Sequence, residues 1–271
     1  EAGFSLIIAL DCGIKSIDKV AYALQKNIDF IICDHHRPGN EIPNAVAVLD
    51  PKRVDCDYPY KELSGCGVGF KLVQALSEKA GTDPNELHQY LDLVAISIAA
   101  DIVPITGENR ILTYYGLQSL NRAPRPGVQA ILNLSGRTSD LTVNDVVFTI
   151  APRINAAGRI ESGKQAVELL ISKNDQEAAH HGQAIDKNNT TRKGLNESIT
   201  KEALDLIAGD SGFSQRKSTV LFNPAWHKGV IGIVASKLTD EFYRPTVILT
   251  ESNGMVSGSA RSVKDRKSTR L

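Results

Sequence analysis

The sequence predicts an α/β fold in two parts. A larger domain built on a parallel sheet covers residues 1–173, a long connecting helix covers 174–208, and a smaller α/β domain covers 209–271. Three observations predict it. Short apolar runs of strand length alternate with helical periodicity at the start of the chain, a long polar stretch with a thin apolar stripe follows, and two more apolar runs flank a helical segment near the end.

Taken in order, residues 5–10 (SLIIAL), 30–33 (FIIC) and 45–49 (AVAVL) are apolar runs too short for helices. Between the first two, residues 16–26 repeat Ile17, Val20, Ala21 and Leu24 at helical spacing. This is a βαβ unit, and strands that are apolar throughout belong in a parallel sheet covered on both faces. Asp11, Asp34 and Asp50 each follow one of the runs directly. The carboxyl ends of parallel strands are where such sheets place their chemistry. Helices are expected over 68–80, over 84–100 with a stop enforced by Pro104, and over 109–121, while Pro124 and Pro126 mark a loop. The stretch from 174 to 207 carries its stripe at Leu195, Ile199, Ala203 and Leu206. As one helix it would run about 50 Å at 1.5 Å per residue. Gly182 and Gly194 work against its continuity. Residues 218–222 and 246–249 read as strands, with a helix over 230–238 between them.

Charge and composition narrow the function. Lys+Arg and Asp+Glu are 31 each, so the net charge is zero. That excludes a strongly basic nucleic-acid coat protein and an acidic tail, and leaves a local basic groove open. Hydrophobic residues at 42% exclude disorder as the dominant state. The longest apolar stretch, 91–100, is interrupted by Asp92 and Ser97, and falls short of the roughly 18–20 residues that span a bilayer. Cys12, Cys33, Cys56 and Cys66 show neither CxxC nor zinc-finger spacing, which points to a reducing cytoplasm. The chain opens Glu1-Ala2-Gly3-Phe4, so it is expected to start inside a longer protein.

The sharpest chemical feature is Asp34-His35-His36 at a strand end, followed by Arg37-Pro38-Gly39. Imidazole and carboxylate together suit Mn²⁺, Zn²⁺ or Fe²⁺, and a polar loop with two chance histidines is the other reading. Asp11, one crossover earlier, and Asp101, in an otherwise apolar stretch, strengthen the metal reading. Arg153, Asn155 and Arg159 offer charge-assisted donors to phosphate, or a structural salt bridge near Glu161. His227 precedes a glycine and an apolar helix whose N-terminus suits an anion. Trp226 is read as packing. The glycines from Gly65 to Gly69 lack the dinucleotide-binding order, and Cys12 and Cys33 sit at strand ends rather than at ligand spacing.

Asp11-Cys12-Gly13, Asp34-His35-His36 and Ala100-Asp101-Ile102-Val103-Pro104 together resemble the DHH phosphoesterase superfamily. Gly65-Cys66-Gly67-Val68-Gly69-Phe70-Lys71, the arginine motif from Ala151 to Arg159, Trp226-His227-Lys228-Gly229-Val230-Ile231-Gly232 and Gly258-Ser259-Ala260-Arg261-Ser262 bring the resemblance to its RecJ-like branch, the single-stranded-DNA-specific exonucleases, over residues 4–263. The resemblance implies a DHH domain joined by the long helix to a DHHA1 domain. It implies two divalent ions, Mn²⁺ or Mg²⁺, with Asp11 bridging them, His35 and Asp101 completing one site, Asp34 a ligand or an orienter, and His36 facing the scissile phosphate. Arg153, Asn155, Arg159, His227, Ser259 and Arg261 would bind substrate phosphates, the last two a 5′-terminal one. The implied activity is 5′-to-3′ hydrolysis of single-stranded DNA in repair and recombination, by a cytoplasmic monomer with helicase or single-strand-binding protein partners. An oligonucleotide or nucleotide phosphatase, or an inactive single-strand-binding fragment, are the alternatives. Two departures are expected to matter. The family's first aspartate motif has no counterpart here, leaving one metal site incomplete and a sheet edge unpaired, and residues 264–271 do not resemble the family's continuation and are expected to be non-native.

Overall fold

Strand β1 (Leu6–Leu10), helix α1 (Ile17–Gln25), β2 (Asp29–Cys33) and β3 (Ala47–Leu49) form the expected parallel unit, with strand order β1-β2-β3. Leu6 pairs with Asp29 and Ile31 with Ala47, so all three strands end at one edge of the sheet. This computed structural model describes residues 3–263, and the segment 264–271 lies outside them. The sheet is covered at β2, where Ile32 and Cys33 are fully buried. It is open at β1, an edge strand on which Leu6, Ile8 and Leu10 are 44–54% exposed. The expectation of cover on both faces therefore fails at this strand.

Helix α2 (Gly65–Ala80) starts earlier than apolar periodicity suggests, because Ser64 Oγ accepts the Gly67 N–H at 3.1 Å and caps it. The expected helix over 84–100 is divided. Asp83 caps a 3₁₀ segment, Pro84–Tyr90, and only Leu91–Ala100 is α-helical (α3). Asp92, which interrupts the apolar run of α3, is buried and gripped by Arg125 through two contacts of 2.6 Å. Helix α4 (Gly107–Arg122) packs closely on α3, since a Cβ at Gly116 would lie 2.3 Å from the Leu91 carbonyl. Pro126 opens α5 (Pro126–Ser135), at a position where its missing N–H is no loss. Helix α6 (Val143–Asp145) begins with a Thr142/Asp145 capping box and runs through a π-helical turn, Val146–Ile150, into α7 (Ala151–Ile160). Leu63, Val68, Phe70, Leu91, Val94 and Ile98 form a core beneath β2.

The chain divides into two compact units, up to Pro152 and from Arg153. In the second, α8 (Gly163–Leu170) packs on α9 (Asp175–Ala208), a single unbroken helix of 34 residues capped by Asn174. Gly182 and Gly194 do not interrupt it. Its Ile199, Ala203 and Ile207 join a core with Trp226, Val230, Val234 and Leu238, so α9 is packed into this unit over that stretch. Strands β4 (Thr219–Phe222) and β5 (Thr246–Ser252) run parallel, with α10 (Ile231–Phe242) between them in sequence. Strand β6 (Met255–Arg261) returns antiparallel to β5 through Asn253-Gly254, both at positive φ. Its sequence, MVSGSAR, has no apolar run, which is why periodicity does not show it.

Candidate functional site

The three strand-end aspartates meet as the parallel order requires, and each does something different. Asp11 leaves β1 at φ 63°, a left-handed conformation that Asp tolerates better than most residues. Its N–H is tied to the Cys33 carbonyl at 2.8 Å, and its carboxylate lies over the start of α2. A Cβ at Gly65 would come within 2.1 Å of Asp11 Oδ1, so glycine alone fits there. Backbone N–H groups at a helix N-terminus favour an anion in that place.

Asp34 is almost completely buried, at 1% exposure. Its Oδ2 accepts the Ile14 N–H at 2.9 Å. Its Oδ1 accepts the N–H groups of His35 and His36 and the His36 ring Nδ1, the last at 2.7 Å. Burial pushes this carboxyl upward, but the hydrogen bonds, led by Ile14, hold it below the usual range. Asp50 follows β3, also buried, and accepts the Lys52 N–H at 2.8 Å, with burial raising its pKa.

His35 is the centre of the site. Its Nδ1 lies 3.0 Å from the Leu63 carbonyl, an acceptor only, so Nδ1 carries the proton and Nε2 of the neutral ring presents a lone pair. That Nε2 is buried and lies 3.1 Å from an oxygen of Asp11 and 3.1 Å from one of Asp101, in hydrogen-bond geometry with neither. The neighbouring Asp11 carboxylate raises the imidazole pKa, burial opposes it, and Asp101 adds to it. Burial raises the Asp101 carboxyl, with His35 opposing. Asp101 is brought there by the end of α3, where Ile102 turns the chain at φ 55° before Pro104. Asn109 Nδ2 donates to the carbonyls of Glu62 and Pro104, tying the segment that orients His35 to the one that follows Asp101.

A buried nitrogen lone pair without a donor, facing two carboxylates, fits a divalent cation. The ligand atoms of Asp11, His35 and His36 lie within 4.8 Å of one another. His36 is exposed, and its ring stands edge-on to that of His35 at 4.6 Å. Asp34 is not one of these three; its oxygens accept N–H groups of Ile14, His35 and His36, and through them it orients the two histidines. Cys66, beside Asp11, is pushed up to about 11, first by burial and then by the carboxylates of Asp11 and Asp92. Leu63 is not visible as a site residue in the sequence, since it acts through its carbonyl, and Gly65 shows only as part of a glycine-rich motif whose bearing on Asp11 the structure gives.

The expected phosphate-binding residues lie in the second unit and fall into separate groups. Arg153 is paired with Asp186 at 2.8 Å, which is not the Glu161 that sequence proximity suggests. Asn155 and Arg159 are exposed on α7, and Arg159 Nη1 reaches the Gly229 carbonyl at 3.3 Å. His227 Nδ1 accepts the Gly229 N–H at 3.1 Å. Ser259 and Arg261 share one side of β6, 3.0 Å apart, beside the first turn of α10. A Cβ at Gly232 would lie 3.1 Å from Ser259 Oγ and 3.3 Å from Arg261 Nη2, so the glycine opens the helix start to both side chains. Trp226 is buried and its indole N–H donates to Glu202, so it packs as read.

Residues 5–98 match the DHH family, N-terminal domain. Over 267 residues it is 43% identical to the single-stranded-DNA-specific exonuclease RecJ of Bacillus subtilis, covering 97% of this chain and 33% of that protein. The same-named protein of Escherichia coli is 36% identical, with 97% and 48% covered. The crystal structure of RecJ in complex with Mn²⁺ from Thermus thermophilus superposes with a TM-score of 0.85 at 31% identity, covering 96% of this chain and 38% of that one. The chain thus spans a third to a half of the length of these curated relatives. The α/β fold is that of the RecJ structures, and those solved structures hold Mn²⁺ or Mg²⁺. No helix among the described residues is long and apolar enough to cross a membrane.

Proposed function

We propose that this chain is the core of a metal-dependent exonuclease that hydrolyses the phosphodiester bonds of single-stranded DNA from the 5′ end, in repair and recombination. The observation that carries this reading is the orphaned Nε2 of His35 between the carboxylates of Asp11 and Asp101. Asp11, His35 and Asp101 would hold the ion, with His36 at its open side. When bound, a divalent ion supplies a water of lowered pKa and neutralises developing charge on the phosphoryl oxygens. The Leu63 carbonyl fixes the tautomer of His35, and Asp34 does the same for His36 by accepting its Nδ1 proton. His36 Nε2 is then left to face the substrate. Ser259 and Arg261, at the open start of α10, would take the terminal phosphate, and Arg159, Asn155 and His227 an adjoining one. Single-stranded DNA is the partner this reading requires, and a cytoplasmic setting agrees with it.

The test is nucleotide release from 5′-phosphorylated single-stranded DNA with Mn²⁺, alongside a His35→Ala variant and the Mn²⁺-induced shift in melting temperature of both proteins. Release and a thermal shift, both lost in the variant, are expected. Release that survives in the variant would overturn the assignment of His35. Binding of DNA without release would make the chain a single-strand-binding module.

A further inference from the structure

On the face of α9 that carries the buried Asn189, Arg192 is half-buried and donates through Nη2 to Asn189 Oδ1 at 3.0 Å. Its Nε is buried with no hydrogen-bond partner. Burial lowers the pKa of this guanidinium, and the positive charge of Arg159 lowers it further. Among the described residues, neither Arg159 nor Arg192 has a carboxylate partner, although other arginines of the chain, such as Arg53, Arg125, Arg137 and Arg153, do. One turn along α9, the amide oxygen of Asn196 is likewise buried and unpartnered. Rotation of that amide presents an N–H at the same position.

An unmatched buried donor costs the desolvation that a partner would offset. A helix face that keeps an unpartnered buried Nε and, one turn on, an unpartnered side-chain amide is unfavourable unless an anion completes it. A tetrahedral oxyanion suits this set, because guanidinium groups grip phosphate oxygens in charge-assisted pairs.

We propose that Arg192, together with Arg159 and Asn196, binds a phosphate group of the substrate strand. This rests on the phosphodiester reading above and adds to it a contact on α9 that none of the motifs includes. The phosphate is either an internal one of the strand or its 5′ terminus, and the two are separable.

Binding of short oligothymidylates, with and without a 5′-phosphate and in the absence of divalent metal, is measured against salt for the wild-type chain, Arg192→Gln and Arg192→Lys. A lost phosphate contact lowers the slope of log K against log salt by about 0.7 for a single strand. Arg192→Gln is expected to show that decrease with affinity about tenfold weaker, and Arg192→Lys to recover the slope, because charge is kept while the forked geometry is lost. Equal losses on both oligonucleotides assign an internal phosphate, and a loss confined to the phosphorylated one assigns the terminus. An unchanged slope in Arg192→Gln, whatever its melting temperature, overturns the proposal and leaves Arg192 a structural residue. Stabilisation by inorganic phosphate provides the independent arm. If no oligonucleotide binds the wild type, but phosphate raises its melting temperature and not that of Arg192→Gln, the anion site stands and the exonuclease reading falls. No difference in either assay removes the anion site itself.

Discussion

Asp11 and Ile102 both sit at positive φ, each within one residue of the cation-facing cluster or part of it. For Asp that conformation is mild, but for a β-branched residue it is a real outlier, costing about 1–2 kcal/mol. Ile102 is 81% exposed, so packing does not compensate it. Ile102→Gly is therefore expected to raise stability by about 1 kcal/mol in denaturant melts, and to loosen Asp101 enough to weaken Mn²⁺ binding. A lower or unchanged midpoint would show that the turn is not strained. Gly65→Ala makes the opposite kind of test. Its new methyl would collide with the Asp11 carboxylate, so Mn²⁺-induced stabilisation should vanish while the protein still folds. At this scale the sequence is readable where a side chain builds the candidate site. His35, His36, Asp34 and Asp11 are legible because histidines and carboxylates crowd strand ends for few reasons other than chemistry. Leu63 is not, since a backbone carbonyl leaves no mark in residue type, and Gly65 shows there only as part of a glycine-rich run.

Among elements, those with a strong apolar period are legible: β1, β2, α1 and the 34-residue α9 all lie where the sequence puts them. Those settled by capping or pairing are not, as in β6, which depends on a two-residue turn, and the 3₁₀ segment ahead of α3, set by Asp83. The buried Asp92 within α3 is explained only by Arg125, 33 residues away in sequence. Arg125→Met should destabilise the first unit by about 3 kcal/mol, because it strands a buried carboxylate. Replacing both partners by leucine should recover most of that loss, as read by urea unfolding. The β3–α2 segment predicts a pH effect. Burial, and then Glu108, hold the Tyr58 hydroxyl well above its ordinary value of 10, and it donates to Glu108 at 2.6 Å. Above pH 10 the unfolded chain loses this proton while the folded one keeps it. Stability must then fall as pH rises through that range. Tyr58→Phe should flatten the alkaline decline, and an unaltered slope would remove Tyr58 as its source.

On the scale of the whole molecule, each compact unit has its own buried core, and the cation-facing cluster belongs to the first. A ligand that binds only the folded state stabilises by about 2.7 kcal/mol at a hundredfold excess over its Kd. Mn²⁺ should therefore raise the calorimetric transition of the first unit and leave that of the second in place, and His35→Ala should abolish the difference. A uniform shift of both transitions would mean that the units unfold as one. The balanced net charge gives no hint of this division; the sequence places its boundary at the end of the 174–208 helix, and the two compact units divide at Arg153.

The open flank of β1 also governs how the chain behaves in a test tube. An edge strand with apolar residues on both sides and unpaired backbone groups is a template on which another strand can add. Light scattering should grow with protein concentration, and a lysine in place of Ile8 should suppress it without touching the cation-facing residues. Anyone working with this polypeptide at high concentration would then be counting aggregates along with folded monomers, and any signal that depends on the monomer would drop per milligram as the stock is made stronger.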